Sequence, residues 1–171
     1  RERAEKEKKE KLKNAMAVFA LALFPNKTVE EVDTIKSEVQ NIYKNMGYNV
    51  KSVDVDFSAQ NLRSSGKIVS YLKSQIYPGV KKVLLCLIKP SGVRKEKMRR
   101  IKITSILGDM SIREIDLETG RISSAQTIEG KGISMRKGRD KVEDAFRKLI
   151  KDLSNQFLNK SEGSSGEDDT F

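Results

Sequence analysis

Val83-Leu-Leu-Cys-Leu-Ile88 is an unbroken apolar run of six residues, and it restricts the folds open to this chain more than any other stretch. A strand with one wet face alternates apolar and polar side chains, whereas an unbroken run marks a central strand covered on both faces. Candidate covering helices lie before and after it. Val29, Val32, Ile35, Val39, Ile42 and Met46 recur at three- and four-residue steps, an amphipathic stripe. Thr28-Val-Glu-Glu31 reads as the capping box of that helix and Gly47 as its left-handed stop. A second helix is expected over Ser58–Ile76, with Leu62, Ile68, Val69, Leu72 and Ile76 on its face and Gly66 as a weak point. A third is expected over Arg139–Leu158, where Val142, Ala145, Phe146, Leu149, Ile150, Leu153 and Phe157 form one stripe.

Strands fill the intervals. Ala17–Phe24 ends at Pro25, whose missing N–H suits a strand end. Its apolar run also resembles the core of a signal peptide, but Glu2, Glu5, Glu7 and Glu10 precede it and such leaders are basic. Tyr48–Val55 alternates with one irregular step. Pro90-Ser91-Gly92 is expected to turn the chain. Ile101–Leu107 then leads into a hairpin whose turn is Leu117-Glu-Thr-Gly120, with glycine at the position of positive φ. Its arms carry Met110, Ile112 and Ile115, then Ile122, Ala125 and Ile128. Their imperfect alternation predicts a bulge or a register fault. Gly130 and Gly132 are expected to end the hairpin. The order is β-α-β-α-β-β-β-α, an α/β fold with a single mixed sheet and helices packed on it.

Three regions follow: a charged leader over 1–14, helical or disordered, with Glu-to-Lys pairs such as Glu2/Lys6 and Glu7/Lys11; one domain over 15–160; and a disordered acidic tail over 161–171. The balance of 34 Lys+Arg against 24 Asp+Glu gives a net charge of +10, which favours acidic partners. No stretch approaches the roughly 20 apolar residues of a membrane helix.

Histidine is absent, which removes Ser-His-Asp and Cys-His catalysis and every His-containing zinc site. Cys86 lies within the apolar run and reads as a buried, inert thiol. Gly130–Arg139 has glycines and cations before a helix but lacks the P-loop pairing, and reads as a flexible basic linker. Asp54, Asp56, Asp109 and Asp116 form no calcium loop. Glu114, Asp116 and Glu118 mark a solvated face, and Ser123-Ser124 has no general base in reach. No enzyme activity, cofactor, metal or small-molecule substrate is expected. The features left are two basic clusters, Arg94–Lys102 and Arg136–Lys141. Candidate partner contacts are Arg94, Lys95, Lys97, Arg99 and Arg100, placed in a connection between strands, with Arg136, Lys137 and Arg139.

Ala22-Leu-Phe-Pro-Asn26, then Met46-Gly-Tyr-Asn-Val50, resembles the N-terminal domain of TolB and its relatives. So do Ile115-Asp-Leu-Glu-Thr-Gly-Arg-Ile122, Gly130-Lys-Gly132 and Val142-Glu-Asp-Ala-Phe146. Relatives include the curli-secretion channel lipoprotein, lipoproteins that activate penicillin-binding proteins, and a flagellar-assembly accessory protein. The resemblance spans 15–158 and its motifs are turns, glycines and helix positions. It implies a periplasmic or outer-membrane-associated setting in a bacterial envelope. It further implies a non-catalytic role in docking an envelope protein or in self-assembly. The basic segment Arg94–Arg100 is not part of that pattern, and a nucleic-acid-binding module is the competing expectation.

Overall fold

The first strand, β1 (Ala15–Leu23), has no wet face: from Ala15 to Ala22 every residue is buried. Met16, Val18, Ala20 and Ala22 enter one core, while Ala15, Ala17, Phe19 and Leu21 enter another, the period of two that a pleated strand imposes. Helices therefore lie on both sides. The first core is covered by α1 (Asp33–Asn45), through Ile35 and Val39, and by α3 (Lys141–Asp168), through Ala145, Phe146, Leu149 and Leu153. The second is covered by α2 (Ser65–Gln75), through Ile68 and Leu72. The computed structural model describes Arg3 and residues 15–76, 79–136, 138 and 140–168, without the side chains of 98, 124, 125 and 161–168. The leader and residues 169–171 lie outside the described residues, and α3 runs on into the acidic segment that begins at 161.

The described residues form a single mixed sheet with three helices packed on it, an α/β fold. Strand β4 (Val80–Met98) runs parallel to β1, from Ala15↔Val80 to Ala22↔Ile88. Antiparallel to it lies β5 (Ile101–Asp116), and antiparallel to that β6 (Ile122–Ser134). The other edge of β1 is shared by two short strands. One is β2 (Val29–Glu31), antiparallel beside Leu21–Leu23; the other is β3 (Asn49–Lys51), parallel beside Ala15–Ala17.

Several boundaries differ from expectation, each for a local reason. Residues 29–31 pair with β1 instead of starting a helix. Thr28 is held by Asn26 Oδ1, at 3.1 Å from its N–H and 2.6 Å from its hydroxyl. The helix starts at Asp33 behind Val32, with no side-chain cap. Its end is as expected: Gly47 has φ +95°, and the N–H groups of Gly47 and Tyr48 bond the carbonyls of Lys44 and Tyr43, a Schellman motif. Met46, expected on the apolar stripe, is 53% exposed. In the second helix region, Ser58 and Asn61 bond each other through side chains and backbone, which competes with helix. The helix therefore begins only where Ser64 Oγ caps Lys67 N–H. Tyr48–Val55 yields only the three residues of β3.

Pro90-Ser91-Gly92 does not turn the chain; Ser91 is an extra residue between the pairs Pro90↔Gly108 and Gly92↔Leu107, a β-bulge. Pairing with β1 ends at Ile88, so Pro90 sits where β4 is a free edge and its missing N–H costs no ladder bond. A second bulge, at Ala125 of β6, supplies the register fault expected in the hairpin. It lets Ile122 and Ile128, both even-numbered, enter opposite cores. Gly130 and Gly132 do not end the hairpin but lie within β6, opposite Gly108 and Ile106. There they admit α3. A Cβ on Gly132 would stand 1.9 Å from the Ala145 carbonyl oxygen and 2.4 Å from Leu149 N, and one on Gly108 2.5 Å from Leu149 Cδ2.

The turn between β5 and β6 is held by Asp116, whose Oδ1 accepts from the N–H groups of Glu118 and Thr119 at 2.9 and 3.2 Å. Gly120 has φ +74°. Thr119 Oγ1 accepts from Arg121 N–H at 3.2 Å. Gly120→Val should therefore cost about 1–2 kcal/mol, while Thr119→Ser, which keeps the hydroxyl, should stay within about 0.5 kcal/mol in denaturant melts. Gly132→Ala should cost roughly 1–3 kcal/mol or more by displacing α3. Gly66→Ala, in open space in the first turn of α2, should instead add up to about 1 kcal/mol. Equal effects of the two alanines in thermal melts would refute the close approach of α3.

Candidate functional site

The basic segment belongs to strand β4 and its turn, not to a free connection. β4 continues to Met98, Arg99 and Arg100 form the turn, and β5 starts at Ile101. The single extra residue at Ser91 reverses which side chains face α3, because a strand alternates faces. Before the bulge the even-numbered residues Leu84, Cys86 and Ile88 face that side. After it Lys95 does, opposite Thr104, and Lys97, opposite Lys102. Thr104 is in turn opposite Ser134, and Ser134 lies under the first turn of α3.

The result is a concavity between the sheet and the start of α3. One part, of about 350 Å³, is lined by Arg100, Lys102, Thr104, Arg136, Gly138 and Lys141. The adjoining part, of about 380 Å³, shares Lys102, Thr104 and Lys141 and adds Lys95, Glu96, Lys97 and Ile103. Six cations thus line the concavity, and Glu96, the one acidic residue at its wall, pairs with Ile103 and directs its side chain to the opposite face. Among the described residues none of Lys95, Lys97, Arg100, Lys102 and Lys141 is in an ion pair. Lys97 and Lys102 face each other directly across the ladder, a like-charge arrangement that weakens a sheet.

Of the expected contacts, Lys95, Lys97, Arg100 and Arg136 come together here. Arg94 pairs with Ser105 on the opposite face, and Arg99 occupies the turn with φ +58°. Lys137 and Arg139 lie outside the described residues. Lys102 and Lys141 are additions; each closes one of the basic clusters in the sequence, but the strand register places Lys102 and the seating of α3 places Lys141.

Arg136 is positioned by a network at the start of α3. Ser134 Oγ accepts its N–H at 3.2 Å, and the Ser134 hydroxyl donates to Asp144 Oδ2 at 2.6 Å. Asp144, 16% exposed, also meets Lys148 at 3.4 Å and Arg136 Nε at 3.7 Å. The Ser134 hydroxyl first, then Lys148 and Arg136, hold its carboxyl below the usual value, against partial desolvation.

The opposite face of the same three strands carries exposed apolar side chains: Ile101 (52%), Leu107 (36%) and Ile133 (44%), with Met135 just beyond β6. Cys86, in β4, is buried in the first core, and desolvation pushes its thiol up to about 12. Among the described residues no group of three or more Cys, Asp or Glu could hold a metal, and no helix is long and apolar enough to cross a membrane.

No protein-family model matches the chain, and no curated protein matches it. Similar solved structures include a lipoprotein from Neisseria meningitidis at 14% identity and TM-score 0.38, covering 85% of this chain and 99% of that one. A hypothetical protein from Chlamydia trachomatis has 7% identity and TM-score 0.36, over 85% and 95% of the two chains. A Xanthomonas campestris protein of the family model DUF330 has 8% identity and TM-score 0.37, over 94% and 89%. Similarity at this level carries no argument about function, and the TolB-like superfamily is not confirmed by it.

The Asp144 network has a defined pH dependence. A depressed carboxyl pKa contributes stability that is complete above the unfolded value, about 3.9, and is lost as pH falls through the lower folded value. Asp144→Asn should therefore destabilise the chain at neutral pH, and its difference from wild type should shrink only under acid. Denaturant melts across pH check this. A gap that stays constant below the unfolded value would mean the carboxylate charge contributes nothing.

Proposed function

We propose that this chain is a non-catalytic protein-interaction domain that docks an acidic surface of its partner in the concavity between β4–β5 and the start of α3. The observation that carries the reading is the meeting of two basic clusters, about forty residues apart in sequence, in one concavity where five of the six cations are in no ion pair among the described residues. Cations opposed across a ladder weaken the isolated fold, and an anionic partner relieves that repulsion. The exposed apolar row on the other face of the same strands supports a protein partner, since apolar patches rimmed by polar residues favour protein contacts. The envelope setting, as part of an assembly or secretion system on the periplasmic or outer-membrane side, rests on the sequence resemblance.

A nucleic-acid-binding module is the second reading, favoured by cations along a two-stranded β-ribbon. Against it, no residue lining the concavity is aromatic, so base stacking has no platform there. Changing the exposed Lys95, Lys97 and Lys102 to glutamate should leave the melting temperature near wild type. It should slow association with the partner, purified after crosslinking to the wild type, about tenfold at low salt, less as salt shortens the screening length. Unchanged kinetics would confine the cluster to solubility. Loss of steeply salt-dependent binding to unrelated DNA would favour the second reading.

A further inference from the structure

A second cavity, of about 390 Å³, lies on the α2 side of the sheet, beyond the carboxyl end of β1 and beside Lys89 of β4. Its position follows from the topology. The three parallel strands stand in the order β3-β1-β4. The crossover from β1 to β3 runs through α1 on one face, and that from β3 to β4 through α2 on the other. At Leu23 the chain turns away into β2 while β4 runs on, and the connection from β3 into α2 lines the opening left between them.

Three cations from three separate segments line that crevice: Lys27 from the β1–β2 turn, Arg63 from the β3–α2 connection, and Lys89 from β4. Gln60 joins them over an apolar floor of Leu23 and Leu62, and no lining residue is acidic. None of the three cations is in an ion pair among the described residues. For Lys89 this is informative, because its direct cross-strand neighbour is Asp109 and it lines the crevice instead of pairing with that carboxylate. Lys27 adds an independent sign. Its backbone is left-handed, φ +72°, at the hairpin position where glycine or asparagine is free of strain. A cation is held there against local preference.

We infer that this crevice binds the phosphate group of a small ligand, held by Lys27, Arg63 and Lys89 with the Gln60 amide as a further donor. Three converging cations and an amide match the charge and the several acceptor oxygens of a phosphate. A small-molecule ligand here departs from the sequence-based expectation that the chain takes no small-molecule substrate.

Titration of inorganic phosphate into the full chain, followed by backbone amide NMR shifts, tests the site. Saturable shifts should centre on the Lys27 turn and on residues 60–63, at one site per chain. Arg63→Ala and Lys89→Ala should each weaken binding about tenfold, as loss of one charge-assisted contact does. Lys27→Gly should weaken it similarly while raising the melting temperature, a combination that a purely structural lysine would not show. The variant with Lys95, Lys97 and Lys102 changed to glutamate should bind phosphate as wild type does, so failure here leaves the docking reading untouched, and the reverse. Phosphatidylcholine vesicles containing phosphatidic acid distinguish the source. Vesicle binding lost in the same three variants assigns the phosphate to a lipid headgroup; no vesicle binding assigns it to a soluble ligand. Shifts spread over the other basic concavity, or phosphate binding unchanged by all three substitutions, would overturn the inference.

Discussion

The contact on which the rest of this molecule depends is the seating of α3 on Gly108, Gly130 and Gly132. Side chains ordinarily hold a helix well clear of a sheet, and here their absence lets helix backbone approach strand backbone. The helix buries Ala145, Phe146, Leu149 and Leu153 in the first core, and its register on the sheet is then set. Because Gly132 lies under Ala145 and Leu149, Ser134 falls within reach of Asp144 and Arg136 is held at the rim. Asp152 Oδ2 accepts the Lys131 N–H at 3.0 Å, and Gln156 donates to the Glu129 carbonyl at 3.1 Å. Those two groups lie on the outer edge of β6. A strand edge left open is a template for pairing with another chain, and α3 closes part of this one from above.

Backbone strain in this fold sits at cations. Among the described residues the two non-glycine positions with left-handed φ are Lys27 and Arg99, one beside each basic region. Either turn would relax with glycine. Turn geometry alone does not ask for a cation at such a position, so the preference for charge over ease is read as selection for a surface. Both side chains are exposed.

Much of the architecture was legible because it is written in local periodicities. The run Val83–Ile88, the stripe of α1 with its Gly47 stop, the stripe of α3 and the Gly120 turn are each decided by a few neighbouring residues. What was misread depends on partners distant in sequence. Val29–Glu31 looks like a helix start until β1 offers an edge to pair with. Pro90-Ser91-Gly92 looks like a turn until β5 is found alongside. Gly130 and Gly132 look like the end of a hairpin because the helix that needs them begins ten residues later, beyond any local window. The basic clusters were visible as composition. Their meeting was not, since it requires both the β4–β5 register and the place where α3 lands.

The bulge at Ser91 shows how little sequence separates one surface from another. Without the extra residue, β4 would keep its even-numbered side chains toward α3 through the whole strand. Arg94 and Glu96 would then enter the concavity, while Lys95 and Lys97 would turn to the apolar face. One cation would be lost from the site and a carboxylate would take its place, with the composition of the segment almost unchanged. Charge count alone therefore cannot say what the arm presents. The inserted residue sorts the segment, setting Lys95 and Lys97 against Lys102 on one side and leaving Arg94 and Glu96 beside Ile101 and Ile133 on the other. A ribbon with one basic and one apolar face is the product of that sorting, and it arises at the point where β4 loses β1 as a neighbour, Pro90 costs nothing, and the strand is free to bend.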